Sequence, residues 1–233
     1  MNLPALESEI GLRFRNKDFL LEALTHRSYL NENPDWKQSN NERLEFLGDA
    51  VLELVTTEYL FNEYPKEEEG QLTLFRAALV NTRMLSRIAE TIGLQKYLLV
   101  SRGEAQSSGR ASETILADGF EALVGAIYMD QGYIHAKNFI LRVLIPYLGE
   151  IVEKGLYKDA KSLLQEIAQE EYKLTPTYRV IEESGPDHQK IFRVGVYFNE
   201  ELKAEGAGPS KQEAEVAAAK HILKEVGTGA PTG

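Results

Sequence analysis

Two stretches of the chain place carboxylates where carboxylates are costly. In Asn41–Leu54 (NERLEFLGDAVLEL), Glu42, Glu45, Asp49 and Glu53 follow one another at intervals of three, four and four. A helix would stack them on one face, beside an apolar stripe of Leu44, Leu47, Val51, Leu54 and Val55. Like charges at that spacing repel by a few tenths of a kcal/mol per pair, so something must compensate them. Arg43 could neutralise one, whereas a divalent cation would serve several together. In ILADGFEALVGAIYMD, Asp118 and Glu121 lie inside an otherwise apolar helix pattern of Ile115, Leu116, Phe120, Leu123, Val124 and Ile127. Burying two acids there is unfavourable unless they are paired or hold a metal. Gly119 and Gly125 lower helix propensity but let another helix come close. The pattern predicts two packed helices that bring Glu45, Asp49, Asp118 and Glu121 into one site.

Oxygen ligands without His or Cys select Mg²⁺, with Mn²⁺ as a substitute, over zinc. Phosphodiester hydrolysis uses such ions: one lowers the pKa of an attacking water while a second, ~4 Å away, stabilises the leaving oxygen. The competing reading is structural. Glu42, Glu45 and Glu53 would be a solvated helix face, with Asp118 and Glu121 paired to arginines such as Arg76 or Arg83. Spacing alone leaves both open.

The elements that must position these groups follow from periodicity. Helical spacing covers roughly Asp18–Leu24, Asn41–Tyr64, Gly70–Val80, Thr82–Ile92, Ser112–Gln131 and Ile134–Leu148, broken by Pro65, Gly93 and Gly132. Residues 1–150 therefore read as a mostly α domain, and 151–157, with mixed charge and Gly155, as a linker. Beyond it the pattern changes to helix Ala160–Tyr172, strands Thr177–Glu183, Ile191–Phe198 and Glu201–Glu205, and helix Ser210–Val226. In the second strand Phe192, Val194, Val196 and Phe198 share one face. Residues 158–227 are thus an α-β-β-β-α unit of α+β class, and 228–233 a tail.

Composition narrows the function. A hydrophobic fraction of 43% in 233 residues supports a real core, and the absence of cysteine removes thiolate metal sites and cysteine nucleophiles. Glu7, Glu9 and Arg13 interrupt the start of the chain, and no apolar run is long enough to span a membrane, so a soluble, cytoplasmic protein is expected. The net charge of −10 opposes a polyanionic partner unless the acid is gathered where cations bind. Di-iron carboxylate bundles use Glu-x-x-His pairs, and no histidine here lies three residues after a glutamate. A His-Asp phosphohydrolase is excluded because the chain contains no His-Asp dipeptide.

The segment NERLEFLGD at Asn41–Asp49 resembles the signature of the ribonuclease III family. The likeness extends to LTHRSY at Leu24–Tyr29, EG at Glu69–Gly70, RAALV at Arg76–Val80, GE at Gly103–Glu104 and ILAD..EAL.GAIY at Ile115–Tyr128. The C-terminal unit resembles a double-stranded-RNA-binding domain. This resemblance implies an endonuclease domain that cuts double-stranded RNA with divalent metal, leaving 5′-phosphate and 3′-hydroxyl ends with short 3′ overhangs. Processing of structured rRNA and mRNA precursors is the implied role. Glu45, Asp49, Asp118 and Glu121 would be the metal ligands, with Asp49 and Glu121 closest to the ions and catalytic. Glu69 matches an acid near the cut, with Glu67 and Glu68 as competitors, while Glu42 and Arg43 match positions tied to substrate or subunit contact.

Phe46 matches an aromatic that plugs into a partner subunit, so a two-fold homodimer is implied, each site cutting one strand. Gln165 and Glu166, Gly185-Pro186-Asp187-His188, and Ser210-Lys211 resemble the three RNA-contacting regions of the second domain. A-form RNA is read by shape across its minor groove, which suits a helix, a loop and a basic helix start. The chain departs from the pattern at Gln212, where a second cation is usual, and at Val216. Lys158–Val226 carries 10 Lys and Arg against 13 Asp and Glu, a net of −3. A non-catalytic duplex-RNA binder that keeps this fold is the alternative. His26 and His221 read as structural.

Overall fold

The computed structural model describes residues 2–107, 112–153, 157, 160–186 and 190–227. They form two compact units, Met1–Tyr157 and Lys158–Gly233. The first contains α1 (Leu3–Ile10), α2 (Lys17–Ala23), α3 (Arg27–Glu32), α4 (Glu42–Glu63), α5 (Glu69–Leu79), α6 (Thr82–Thr91), α7 (Arg102–Ser107), α8 (Glu113–Gln131), α9 (Tyr133–Leu144) and α10 (Leu148–Glu153).

Helix α8 is the axis of this unit, with α2, α4, α6 and α9 packed around it. Its sequence explains why: from Ile115 to Ile127 nearly every residue is buried, and Phe120, Leu123 and Val124 are wholly so. A helix apolar on all sides is stable only when other helices cover it. Each such side chain contributes about 1.5–3 kcal/mol by leaving water. Ser112 caps its start, accepting from the Ile115 N–H at 3.4 Å, and Gly132 ends it with a positive φ of 81°.

The buried stripe of α4 differs from the expected one. Leu44, Gly48, Val51, Leu52, Val55, Thr56 and Leu60 face inward, whereas Leu54 is 56% exposed. The inward row follows Gly48, and Gly48 is where α4 meets α8. A Cβ built on it would lie 1.8 Å from the Glu121 carbonyl oxygen, and one on Gly125 would lie 2.1 Å from the Leu44 carbonyl oxygen. The two helices touch backbone to backbone, and only hydrogen fits between them.

The expected helix Ile134–Leu148 ends instead at Leu144, followed by a 3₁₀ turn at Ile145–Tyr147. Pro146 has no N–H to continue the ladder. Helix α10 runs through Glu153 with Ile151 buried in the core, and Tyr157 packs edge-on against Phe75 at 4.7 Å, so much of the stretch read as linker belongs to the first unit.

The second unit runs α11 (Ala160–Tyr172), β1 (Thr177–Ser184), β2 (Ile191–Phe198), β3 (Glu201–Gly208) and α12 (Lys211–Gly227), with an antiparallel sheet in the order β1-β2-β3. Val194, Val196 and Phe198 are buried, and Leu164, Ala168, Ala218 and Ile222 of the helices complete the core. Strand β3 continues past its expected end to Gly208, pairing Gly206, Ala207 and Gly208 with Val194, Arg193 and Phe192 of β2, and Gly206 lies close against α12, where a Cβ would come within 2.1 Å of the Ala218 nitrogen.

Alanine at Gly48 or Gly125 must force the α4/α8 contact apart. We expect each substitution to cost about 2 kcal/mol or more, read as a lowered urea midpoint. Alanine at Gly70, which has nothing within 4 Å of a built Cβ, should leave the midpoint at or above its parent value. An unchanged midpoint for Gly48→Ala would contradict the packing.

Candidate metal centre and nucleic-acid interface

The close approach of α4 and α8 places acids from both helices together. One carboxylate oxygen each from Glu45, Asp118 and Glu121 lies within 4.8 Å of the other two, close enough to share a cation. Of the four acids read as one site, the structure brings these three together. Asp49 is exposed, one turn along α4 from Glu45, and stands outside that trio. It is near enough for its charge to act on both Glu45 and Glu121.

The electrostatics are those of anions waiting for a cation. Burial, followed by the charges of Asp49, Asp118, Glu45 and Glu53, pushes the Glu121 carboxyl up to about 8. These influences all have one sign. Burial and the neighbouring Asp118, Glu42 and Asp49 likewise raise Glu45. Burial raises Asp118 too, opposed by His26 and Arg27. Arg76 does not compensate the trio: it is pinned to Glu53 at 2.9 Å and Thr57 at 3.0 Å, fastening α5 onto α4. The structural alternative for Arg76 therefore fails. All-oxygen donors at sharing distance, with raised pKa values, suit a hard divalent ion.

Glu45 and Asp118 open on a cleft of about 490 Å³ that Asn41, His26, Arg27 and Glu104 also line. His26 caps α3, its Nδ1 accepting from the Ser28 N–H at 3.2 Å. Its backbone N–H donates to Leu99 O at 3.0 Å, and the Asn41 N–H donates to Thr25 O at 2.9 Å, tying this wall to the start of α4. His26 is structural, as its sequence context suggests, and also forms part of the site wall. Its place two residues after Leu24, in the LTHRSY match, was the available signal. Gly48 was missed because a lone glycine in a helix reads as a propensity penalty.

Glu69 is the first residue of α5, exposed and outside the trio. Phe46 is 81% exposed on α4. In the second unit Gln165 and Glu166 are exposed on α11, on a shallow groove with Ser162 and Gln169. The Ser210 hydroxyl accepts from the Glu213 N–H at 3.2 Å to cap α12, and Lys211 begins that helix. His188 lies outside the described residues.

Residues 16–148 match the family model described as Ribonuclease-III-like, and residues 160–226 match that of the double-stranded RNA binding motif. The chain belongs to the ribonuclease III family. It is 46% identical over 215 residues to Ribonuclease 3 of Borreliella burgdorferi, covering 92% of this chain and 87% of the relative. It is 42% identical over 225 residues to Ribonuclease 3 of Dehalococcoides mccartyi, covering 97% and 95%. The first unit is similar to a solved structure of the nuclease domain of ribonuclease III from Campylobacter jejuni, with a TM-score of 0.57 and 42% identity over 62% of this chain and 97% of that one. A ribonuclease III chain with both domains is a double-strand-specific endoribonuclease.

Glu121 gives the metal-free protein a pH signature. A carboxyl whose pKa rises on folding binds more protons folded than unfolded between its two pKa values. Its contribution to stability is therefore lost as pH climbs from its ordinary 4.5 through about 8. In EDTA the thermal midpoint should fall over that range, and Glu121→Gln should flatten the fall. Parallel curves for parent and variant would show that Glu121 is not held protonated.

Proposed function

We propose that this chain hydrolyses phosphodiesters of double-stranded RNA with Mg²⁺, or Mn²⁺ in its place, held by Glu45, Asp118 and Glu121 with Asp49 alongside. The observation that carries the reading is the trio of carboxylate oxygens within 4.8 Å across the α4/α8 contact. A divalent ion bound there would acidify water and neutralise charge building on the phosphate. The chain's own residues do the positioning: Glu121 offers a carboxylate that burial and four neighbouring acids make eager for a cation, and Asp49 and Glu121 are the catalytic pair. Glu69, at the exposed start of α5, assists near the cut. Products carry 5′-phosphate and 3′-hydroxyl ends with short 3′ overhangs, and the substrates are structured rRNA and mRNA precursors in the cytoplasm. Among the described residues no helix is long and apolar enough to cross a membrane.

The active form is a homodimer. Phe46, Leu54 and Phe61, all on α4, are 81%, 56% and 69% exposed, an apolar band on the helix that carries Glu45 and Asp49. Such bands on soluble proteins mark interfaces. A two-fold axis beside it would give two equivalent sites for the two antiparallel strands. Gln165, Glu166, His188, Ser210 and Lys211 form the duplex grip, supported by the match to the RNA-binding motif.

The test is cleavage of a long RNA duplex. Mg²⁺ should permit it and EDTA abolish it. Glu121→Gln should lose at least ~10²-fold in rate while still retarding the duplex in a gel, and Phe46→Glu should sediment as a monomer. Cleavage in EDTA, or full activity of Glu121→Gln, would overturn the reading.

A further inference from the structure

Helix α12 begins with Lys211, and its ammonium does not stand alone in solvent. Its Nζ lies 3.1 Å from Glu183 Oε1, while Lys190 Nζ lies 3.7 Å from the other oxygen, Oε2, of the same carboxylate. The register explains the meeting: Glu183 pairs with Phe192 across the β1–β2 ladder, next to the strand ends that Lys190 adjoins. Lys211 also lies over the Phe192 ring, 5.5 Å from its centroid. One acid at the end of β1 therefore presents an oxygen to each of two lysines that flank the loop after β1 and the start of α12. A phosphate with its anionic oxygens would make the same pair of contacts.

We propose that Glu183 sets the RNA affinity of the second unit by competing with duplex phosphates for Lys190 and Lys211. This rests on reading the loop after β1 and the start of α12 as an RNA-contacting surface. The bonds from Lys211 and Lys190 hold the Glu183 carboxyl below its ordinary value, so it is ionised wherever RNA binding is measured. The consequence is large for this chain because cations are scarce: Lys158–Val226 is net −3, and the residue after Lys211 is Gln212. Phosphate affinity in such a surface comes from lysines that exchange bound counterions for RNA. A lysine already satisfied by a carboxylate must exchange that partner instead, so it adds less to affinity and less to salt dependence.

The experiment uses the full chain carrying Glu121→Gln to prevent cleavage, with a blunt RNA duplex of about 20 bp, longer than the ~16 bp such a domain spans. Binding is followed by fluorescence anisotropy across a salt series. Glu183→Gln should tighten Kd about two- to five-fold, the range for releasing exposed ion pairs, and steepen the dependence of log Kd on log salt. Glu183→Ala, which adds no amide that could itself bind phosphate, should act in the same direction. Lys211→Ala and Lys190→Ala should weaken binding. In the Lys190→Ala/Lys211→Ala background the gain from Glu183→Gln should vanish, because the acid then has no lysine to release.

A gain that persists undiminished in that background would show only general charge repulsion and overturn the proposal, as would Glu183→Gln and Glu183→Ala binding like the parent. If the lysine variants bind as tightly as the parent, the RNA-contact reading fails and the proposal with it. If they weaken binding while the Glu183 variants change nothing, the contact reading stands and the competition alone is refuted.

Discussion

Everything in the first unit depends on the backbone contact between α4 and α8. Gly48 and Gly125 are interleaved there, each under the other helix's carbonyl, at separations that exclude even a methyl group. That contact sets the spacing of Glu45 against Asp118 and Glu121. It also buries the trio deeply enough to raise the pKa of each. A looser crossing would let water between the carboxylates, lower those pKa values and weaken the demand for a cation. Packing and electrostatics are one device here, since the same approach that completes the core charges the site.

The charge of −10 looked like an argument against a polyanionic partner. The structure locates part of that charge where it is useful. Glu42, Glu45, Glu104 and Asp118 line one cleft, and a bound cation reverses the local sign. In the second unit many acids are spent on the unit's own cations: Arg179 with Glu200, Arg193 with Glu205 and Glu182, Lys161 with Glu215, and Lys211 with Glu183. Both arginines belong to the sheet, Arg179 on β1 and Arg193 on β2. Exposed pairs of this kind add little stability, so their effect is felt chiefly in what the cations are free to do.

The acids of α4 and α8 were visible in the sequence because carboxylates at helical spacing in apolar surroundings need an explanation. Ile191–Phe198 was visible because its alternation fits only a half-buried strand. Leu54 misled, since an apolar residue beside a stripe reads as core, and only the position of α8 reveals that the row runs through Gly48 instead. Helices α1, α3, α7 and α10 have six to eight residues each, at most about two turns, which gives periodicity little to register; of the helices this short only α2 was read. The start of α3 was further hidden by its cap, a histidine rather than Ser, Thr, Asp or Asn. Asp49 shows the remaining limit: spacing puts it on the acidic face, but which carboxylates meet depends on the crossing of two helices.

The most direct measurement is the anomalous signal of Mn²⁺ in a crystal of the full chain. The account predicts a peak between α4 and α8 with oxygens of Glu45, Asp118 and Glu121 about 2.0–2.2 Å away. A saturated crystal with no ion between these helices, or with the three carboxylates turned apart, would contradict it.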